Sequence, residues 1–243
     1  MSRKKCCGAS NVTGSIRLYT EAPLATGVTV PLSAGQAHYL KSVMRRAAGG
    51  PVCLFNGADG EWQAHIEGNG TVTVSTQLRS QAPEPDRWLV FAPVKRDATD
   101  LIVRAATELG VSRLVPILTQ RSQTARINAD RWHAIAVEAA EQCERLSVPA
   151  IAGLQPLPAL LTGWDQSRAL YAALERQPQA PASAPRAKTA LLIGPEGGFA
   201  DSERKFLANH DFVQPFSLGA RILRAETAAI AGLARLDYLT PRS

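Results

Sequence analysis

Arg221 and Arg224 lie three residues apart among the apolar residues Leu218, Ile222 and Leu223, with Glu226 and Thr227 just beyond. Guanidinium groups in an apolar loop are costly unless they are paired or used. Paired, they form a structural tie to a carboxylate while Thr227 caps the helix that follows. Used, they and the carboxylate are reactive or binding groups. Spacing alone leaves both readings open. A second junction, Leu191-Leu-Ile193-Gly194-Pro195-Glu196-Gly197-Gly198-Phe199, sets a glycine-rich turn after an apolar run. Glycines beyond the carboxyl end of a strand let backbone groups approach a ligand closely. The same glycines also make a plain strand-to-helix turn. No G-K-[ST] is present, nor a G-x-G-x-x-G after a strand, so a phosphate cradle is disfavoured. His38, His65, His133 and His210 lack ligand spacing, so no metal is expected. No G-x-S-x-G elbow occurs. On Glu138-Ala-Ala-Glu141-Gln142-Cys143-Glu144-Arg145 the polar residues share one stripe, which reads as a solvated face with a Glu141–Arg145 pair four apart.

These residues need elements to hold them. Residues 84–243 read as alternating strands and helices, hence a mostly parallel α/β sheet. Strands are expected at Trp88–Pro93, Val111–Leu118, Ala169–Leu174 and Thr189–Ile193, with Pro215–Leu218 leading into the second junction. Helices are expected at Asp97–Leu109, after a cap at Asn128, at Asp201–His210 and at Arg224–Tyr238. The stretch Gln177–Pro185 is a low-complexity loop too poor in apolar groups to pack. Ahead of a polar, proline-bearing hinge at residues 80–87, the pattern changes. Pro51–Asn56, Glu61–Ile66 and the run through Val72, Val74 and Leu78 are separated by glycine-rich turns and predict a three-strand meander. Ser33 with Gln36 makes a capping box for a helix that carries Lys41, Arg45 and Arg46 toward one end. A small sheet or barrel with a basic helix suits RNA binding. The expected division is a disordered tail at 1–15, a β unit at 16–83 and an α/β unit at 84–243.

The 243 residues are 45% hydrophobic and 20% charged, which excludes global disorder. A fold of this size buries roughly 70–75% of its unfolded surface. Four cysteines without C-x-x-C spacing exclude a disulfide scaffold and fit a reducing cytosol. The longest uncharged stretch, Leu146–Trp164, contains three prolines and cannot span a membrane as a helix. Arg3, Lys4 and Lys5 are followed by no apolar run, so a secretory signal is not expected. The net charge of +6 favours anionic partners such as nucleic acid.

Taken together, these segments resemble the RsmE family of ribosomal RNA methyltransferases, within the SPOUT superfamily. The resemblance runs from about Arg17 to Tyr238. It is carried by His38-Tyr-Leu40 with Val43-Met-Arg45, Lys95, Glu108-Leu-Gly-Val111, Glu138-Ala-Ala-Glu-Gln142 with Arg145, Ile193-Gly-Pro-Glu-Gly-Gly-Phe199, and Leu218-Gly219 through Ile222-Leu-Arg-Ala-Glu-Thr-Ala228. Ala220 stands where the family often has proline, and Ala200 where a serine often caps the next helix, leaving Asp201 or Ser202 to serve. The resemblance implies a PUA-like RNA-binding β-barrel followed by a trefoil-knotted α/β domain, acting as a cytoplasmic homodimer. It implies methyl transfer from S-adenosylmethionine to N3 of one uridine in 16S rRNA of the small subunit. The cofactor would lie against Leu192, Ile193, Gly194, Pro195, Glu196, Gly197, Gly198, Leu218, Gly219, Ile222, Leu223 and Thr227. Arg224, Arg221, Glu226 and Glu196 are the catalytic candidates. Arg17, Lys41, Arg45, Arg46, Lys95 and Arg145 are the candidate RNA contacts. A non-catalytic RNA-binding or assembly factor of this fold, or a methyltransferase with another RNA target, is the alternative.

Overall fold

The computed structural model describes residues 16–174 and 187–239. The expected tail at 1–15 and loop at Gln177–Pro185 lie outside the described residues. The chain divides into two compact units, one ending at Pro83 and the other starting at Glu84.

In the first unit a mainly antiparallel sheet forms from β1 (Arg17–Tyr19), β2 (Thr29–Pro31), β3 (Pro51–Phe55), β4 (Glu61–Ile66) and β5 (Thr71–Arg79), in the order β1-β3-β4-β5-β2. The expected meander is β3–β4–β5. Its first turn is held by Asn56, whose side-chain oxygen accepts from the Ala58 and Asp59 amides at 3.0 and 2.8 Å. Alternation sends Val52, Leu54, Ala64, Val72 and Val74 to one face, where Leu18, Val30 and Leu40 complete a core. Register shifts within β4 against β5 help the sheet curl. β1 and β2 have three residues each, too few for periodicity to reveal.

Between β2 and β3 the basic helix differs from expectation. α1 (Ala34–His38) starts at the Ser33–Gln36 capping box, then widens into a π-helical turn at Tyr39–Val43. Arg45 has φ +51°, a left-handed conformation that a helix cannot continue through. Lys41 therefore sits on the π turn, while Arg45 and Arg46 follow it on irregular chain. The widened turn carries Leu40 into the core.

The second unit has strands β6 (Asp86–Phe91), β7 (Arg113–Leu118), β8 (Ala150–Ile151), β9 (Gln155–Pro156), β10 (Ala169–Ala172), β11 (Lys188–Ile193) and β12 (Val213–Pro215). All of their pairings are parallel, in the order β12-β10-β11-β6-β7-β8, with β9 also on β7. Leu89, Phe91, Leu191 and Ile193 face α2 (Arg96–Glu108), α3 (Ala129–Gln142) and α6 (Ala225–Leu239). Val90, Ala190 and Leu192 face α4 (Leu157–Thr162) and α5 (Asp201–Ala208). Both faces of the sheet are covered, which is why its strands read as unbroken apolar runs. Asn128 caps α3 as expected, accepting from the Arg131 amide at 3.0 Å. α4 falls inside the proline-rich uncharged stretch and has no sequence signal of its own.

α3 stops at Gln142, and Glu144 turns the chain at φ +60°. Arg145 consequently leaves the helical stripe. Its guanidinium is buried, with Nε 2.8 Å from Glu84 Oε2 and Nη1 2.9 Å from the Thr107 carbonyl. Glu138 and Gln142 are exposed, as a solvated face requires, and the reading is corrected for Arg145, which is buried.

Candidate cofactor and substrate site

Four neighbouring strands, β6, β11, β10 and β12, release their carboxyl ends around one cavity of about 790 Å³. Beyond β11 the chain makes the glycine-rich turn. The Gly198 amide closes it by donating to the Pro195 carbonyl at 2.8 Å. Phe199 then dives into the core, and its ring passes so close to Gly194 that a Cβ there would lie 2.9 Å from Cε2. Gly194 is therefore required by close approach, not only by turn geometry. From outside the cavity, Arg121 donates through Nη1 to the Gly197 carbonyl at 2.7 Å.

The start of α5 locks the turn from the other end. Buried Glu203 accepts from the Ala200 amide at 2.9 Å and the Gln120 amide at 2.8 Å. Ser202 is engaged by the Gln120 side chain at 2.8 Å. Glu203 thus supplies the reach-back half of a capping box, while Ala200 has no side-chain oxygen to supply the other half.

The loop after β12 has a firm base and an open tip. The Phe216 amide donates to the Ala172 carbonyl at 2.8 Å, and its ring meets Tyr171 edge-on at 5.5 Å. Arg235 lies over the Phe216 ring and donates to the Ser217 carbonyl. Past that point, Gly219 adopts φ +106°, a conformation that L side chains rarely take. The loop then rejoins α6, where the Ala228 amide bonds the Arg224 carbonyl at 2.8 Å.

Of the expected cofactor residues, Ile193, Gly194, Pro195, Glu196, Gly198, Leu218, Gly219, Ile222 and Leu223 line the cavity. Leu192, Gly197 and Thr227 do not. Leu192 points the other way along the strand's alternation, into the core beneath α4 and α5. Gly197 is exposed and turned toward Arg121. Thr227 is an exposed residue of α6.

Arg221, Arg224 and Glu196 line the cavity and are exposed; Glu226 is outside its lining. Among the described residues no ion pair or side-chain hydrogen bond engages any of these four, nor Thr227. The structural tie that the spacing left open is not made.

Lys95, read as an RNA contact, lines this same cavity. Buried Thr99 holds this segment: its amide donates to the Lys95 carbonyl at 2.9 Å, and its hydroxyl bonds the Val94 amide at 3.0 Å and carbonyl at 3.1 Å. Ser217, at the start of the second junction, lines the cavity too, and Arg204, Leu174, Phe216 and Ala228 also line it and were not anticipated. Arg204 and Ala228 belong to the helices that follow the two loops, and one turn of helix is enough to bring them back to the cavity. Of the other expected RNA contacts, Lys41, Arg45 and Arg46 are exposed, and their side chains engage no partner among the described residues. Arg17 is committed elsewhere. Its Nε lies 2.6 Å from Glu61 and its guanidinium 4.6 Å from the Phe55 ring centre. Burial works to raise the Glu61 pKa, but Arg79 and Arg17 outweigh it and hold the carboxyl below its ordinary value.

The chain is similar to known proteins in sequence and in fold. Residues 82–237 match the family described as RNA methyltransferase domain, and residues 32–77 match RNA methyltransferase PUA domain. Ribosomal RNA small subunit methyltransferase E of Rickettsia conorii is 32% identical over 233 residues, covering 92% of this chain and 95% of the relative. A Legionella pneumophila chain described as a methyltransferase, solved with bound S-adenosylmethionine, superposes with a TM-score of 0.78 at 30% identity, covering 93% of this chain and 98% of that one. The Neisseria gonorrhoeae ribosomal RNA small subunit methyltransferase E shares the fold, with a TM-score of 0.83 at 24% identity over 93% of this chain and 98% of that one. With both units matched in order and a relative at this identity along nearly its whole length, the chain belongs to the RNA methyltransferase family that includes the ribosomal RNA small subunit methyltransferase E proteins.

Proposed function

We propose that this protein transfers a methyl group from S-adenosylmethionine to N3 of a uridine in 16S rRNA. The observation that carries the proposal is the cavity itself: main-chain groups of Gly194, Gly198 and Gly219 stand beside apolar Leu174, Ile193 and Leu218, and Arg224 reaches the same space without a partner among the described residues. Flat apolar walls with backbone edges fit an adenosyl group, and the volume falls within the roughly 300–1,000 Å³ usual for small-molecule sites. S-adenosylmethionine, when bound, supplies a methyl group on a positively charged sulfur.

The chain's own residues must then prepare the uracil. N3 carries a proton and is a poor nucleophile until it leaves. Arg224, with Arg221 as the second candidate, holds the uracil oxygens where negative charge develops as that proton departs. Glu196 lines the cavity and Glu226 does not, which favours Glu196 as the proton acceptor. Phe216, Leu218 and Leu223 give the cavity apolar walls, which favour a drier surround for the reacting atoms. The uridine enters unstacked, as chemistry on a base edge requires.

The same reading has the first sheet closing as a PUA-like barrel that grips RNA through Lys41, Arg45 and Arg46. It also has the loops after β11 and β12 threaded as a trefoil knot, two copies forming a homodimer, and the cytoplasm as the place of action. Sedimentation of the purified protein tests the dimer.

The deciding experiment is methylation of small-subunit RNA with labelled S-adenosylmethionine, followed by mass mapping of the RNA. N3-methyluridine at one position is the expected product. Cofactor binding with no methylated RNA would favour a non-catalytic RNA-binding factor, and a product on ribose or on tRNA would give another target.

A further inference from the structure

The charges around the cavity do not match the charge of the cofactor. Lys95, Arg204, Arg221 and Arg224 line it against a single carboxylate, Glu196. Among the described lining residues the excess is therefore three positive charges. Only Arg204 has a side-chain hydrogen-bond partner among the described residues, the Phe199 carbonyl at 3.1 Å, and that group is neutral. Lys95, Arg221 and Arg224 have none there, and no described carboxylate pairs with any of the four. S-adenosylmethionine itself carries a sulfonium, an ammonium and a carboxylate, a net charge of +1. This lining disfavours a cationic ligand relative to a neutral one of the same shape, and an anion sharing the space offsets that difference.

Resting on the function proposed above, we infer that the RNA backbone supplies the missing negative charge at Lys95 and Arg221. Occupancy of this rim is then what lets the cavity hold the cationic cofactor rather than its neutral product. During transfer the methyl carbon leaves sulfur for N3, the carbon–sulfur bonding pair returns to sulfur, and the N3 proton passes to the base. The product S-adenosylhomocysteine thereby loses the sulfonium charge and has a net charge of zero.

Two consequences follow from Coulomb's law. Without RNA, the cationic lining penalises S-adenosylmethionine relative to its product. With RNA in place, the rim is neutralised and the penalty is relieved. Coupling between sites is reciprocal, so RNA must bind more tightly to the cofactor complex than to the product complex. The enzyme would thus load its cofactor best with substrate present and release methylated RNA once the sulfonium is gone. Lys95 suits this role because Thr99 fixes its backbone while its ammonium has no partner among the described residues. For a charge about 7 Å away at an effective dielectric constant of about 40, the expected discrimination is about tenfold.

The test is calorimetric titration of the full chain with S-adenosylmethionine and with S-adenosylhomocysteine. It is run at low and high salt, with and without a short single-stranded uridine-containing oligoribonucleotide. At low salt without RNA, the product should bind about tenfold more tightly, and salt should shrink the gap. The oligoribonucleotide should improve cofactor binding more than product binding. Lys95→Gln should narrow the gap without RNA and reduce the gain that RNA brings. Arg221→Gln, at an exposed loop position, should do the same and serves if Lys95→Gln melts early. A cofactor-to-product ratio indifferent to salt, to the oligoribonucleotide and to both variants would overturn the inference while leaving the cofactor site standing. Failure of both ligands to bind would overturn the cofactor site as well.

Discussion

At the scale of single residues, Arg224 is the most informative position. It lines the cavity and has no partner among the described residues, so its removal breaks no structural tie there. Arg224→Ala should lower the single-turnover methylation rate by about 10²–10³ while melting temperature stays near wild type and S-adenosylmethionine binds no more weakly than to the wild type. Arg224→Lys should restore little, because an ammonium lacks the planar fork that holds a base edge. A normal rate in Arg224→Ala would remove the residue from the chemistry. Gly219 gives a second test. Gly219 lines the cavity, and φ +106° is strained for any residue but glycine, so a branched side chain there distorts the loop. Gly219→Val should abolish S-adenosylmethionine binding in calorimetry without changing the first unit. Gly197→Val would act differently, since a Cβ there meets the Arg121 side chain at 3.5 Å and not the cavity.

Elements decide whether these residues meet. The turn after β11 is held partly by groups far from it in sequence, Gln120 and Arg121, and Glu203 at the start of α5 ties Gln120 to it. Its carboxylate satisfies two backbone amides, those of Ala200 and Gln120. Glu203→Ala leaves both without their partner, at about 1–3 kcal/mol each. Thermal melts should show lost stability, and cofactor affinity should fall with it. Unchanged binding in a destabilised Glu203→Ala would mean the turn does not shape the site. In the first unit the relevant element is the π turn and the chain after it. Lys41, Arg45 and Arg46 are exposed there, with side chains that no described residue engages. Replacing all three with alanine should weaken RNA binding. The slope of log affinity against log salt should fall by about 0.7–0.9 for every phosphate that the variant no longer neutralises. Cofactor affinity should not change. An unaltered slope would put the RNA on another surface.

At the scale of the whole molecule, the chain combines a sheet held partly by a buried charge cluster with a second unit that carries the cavity. The cluster makes stability depend on pH. Glu61, between Arg17 and Arg79, has a folded-state pKa below the ordinary 4.5. A depressed pKa means that the folded form binds the proton less readily than the unfolded chain. The stabilisation is therefore present above pH 4.5 and is lost as pH falls through the lower folded value. Acidification across that window should lower the melting temperature of the wild type more than that of Glu61→Gln. Equal slopes for the two proteins would show that the cluster contributes no linkage.

Legible in the order of residues were the alternation of elements from Trp88 onward, the β3–β4–β5 meander, the caps at Ser33 and Asn128, and the two loops that line the cavity. Each of these is a local signal: apolar runs, turn residues and caps act over a few positions, and the glycine-rich and Arg-Ala-Glu-Thr segments are contiguous. The family resemblance rested on the same segments. Tertiary structure alone decided which side of each strand faces what, and so moved Leu192 into the core and left Gly197 and Thr227 off the cavity. It buried Arg17 against Glu61 and Arg145 against Glu84, because charge partners 44 and 61 residues apart leave no trace in spacing. It also brought Lys95 and Arg204 to the cavity and left Arg221 and Arg224 without carboxylate partners among the described residues. A cavity made by the ends of four strands draws its charges from three separate stretches of chain, and only the order of strands in the sheet says which of them meet.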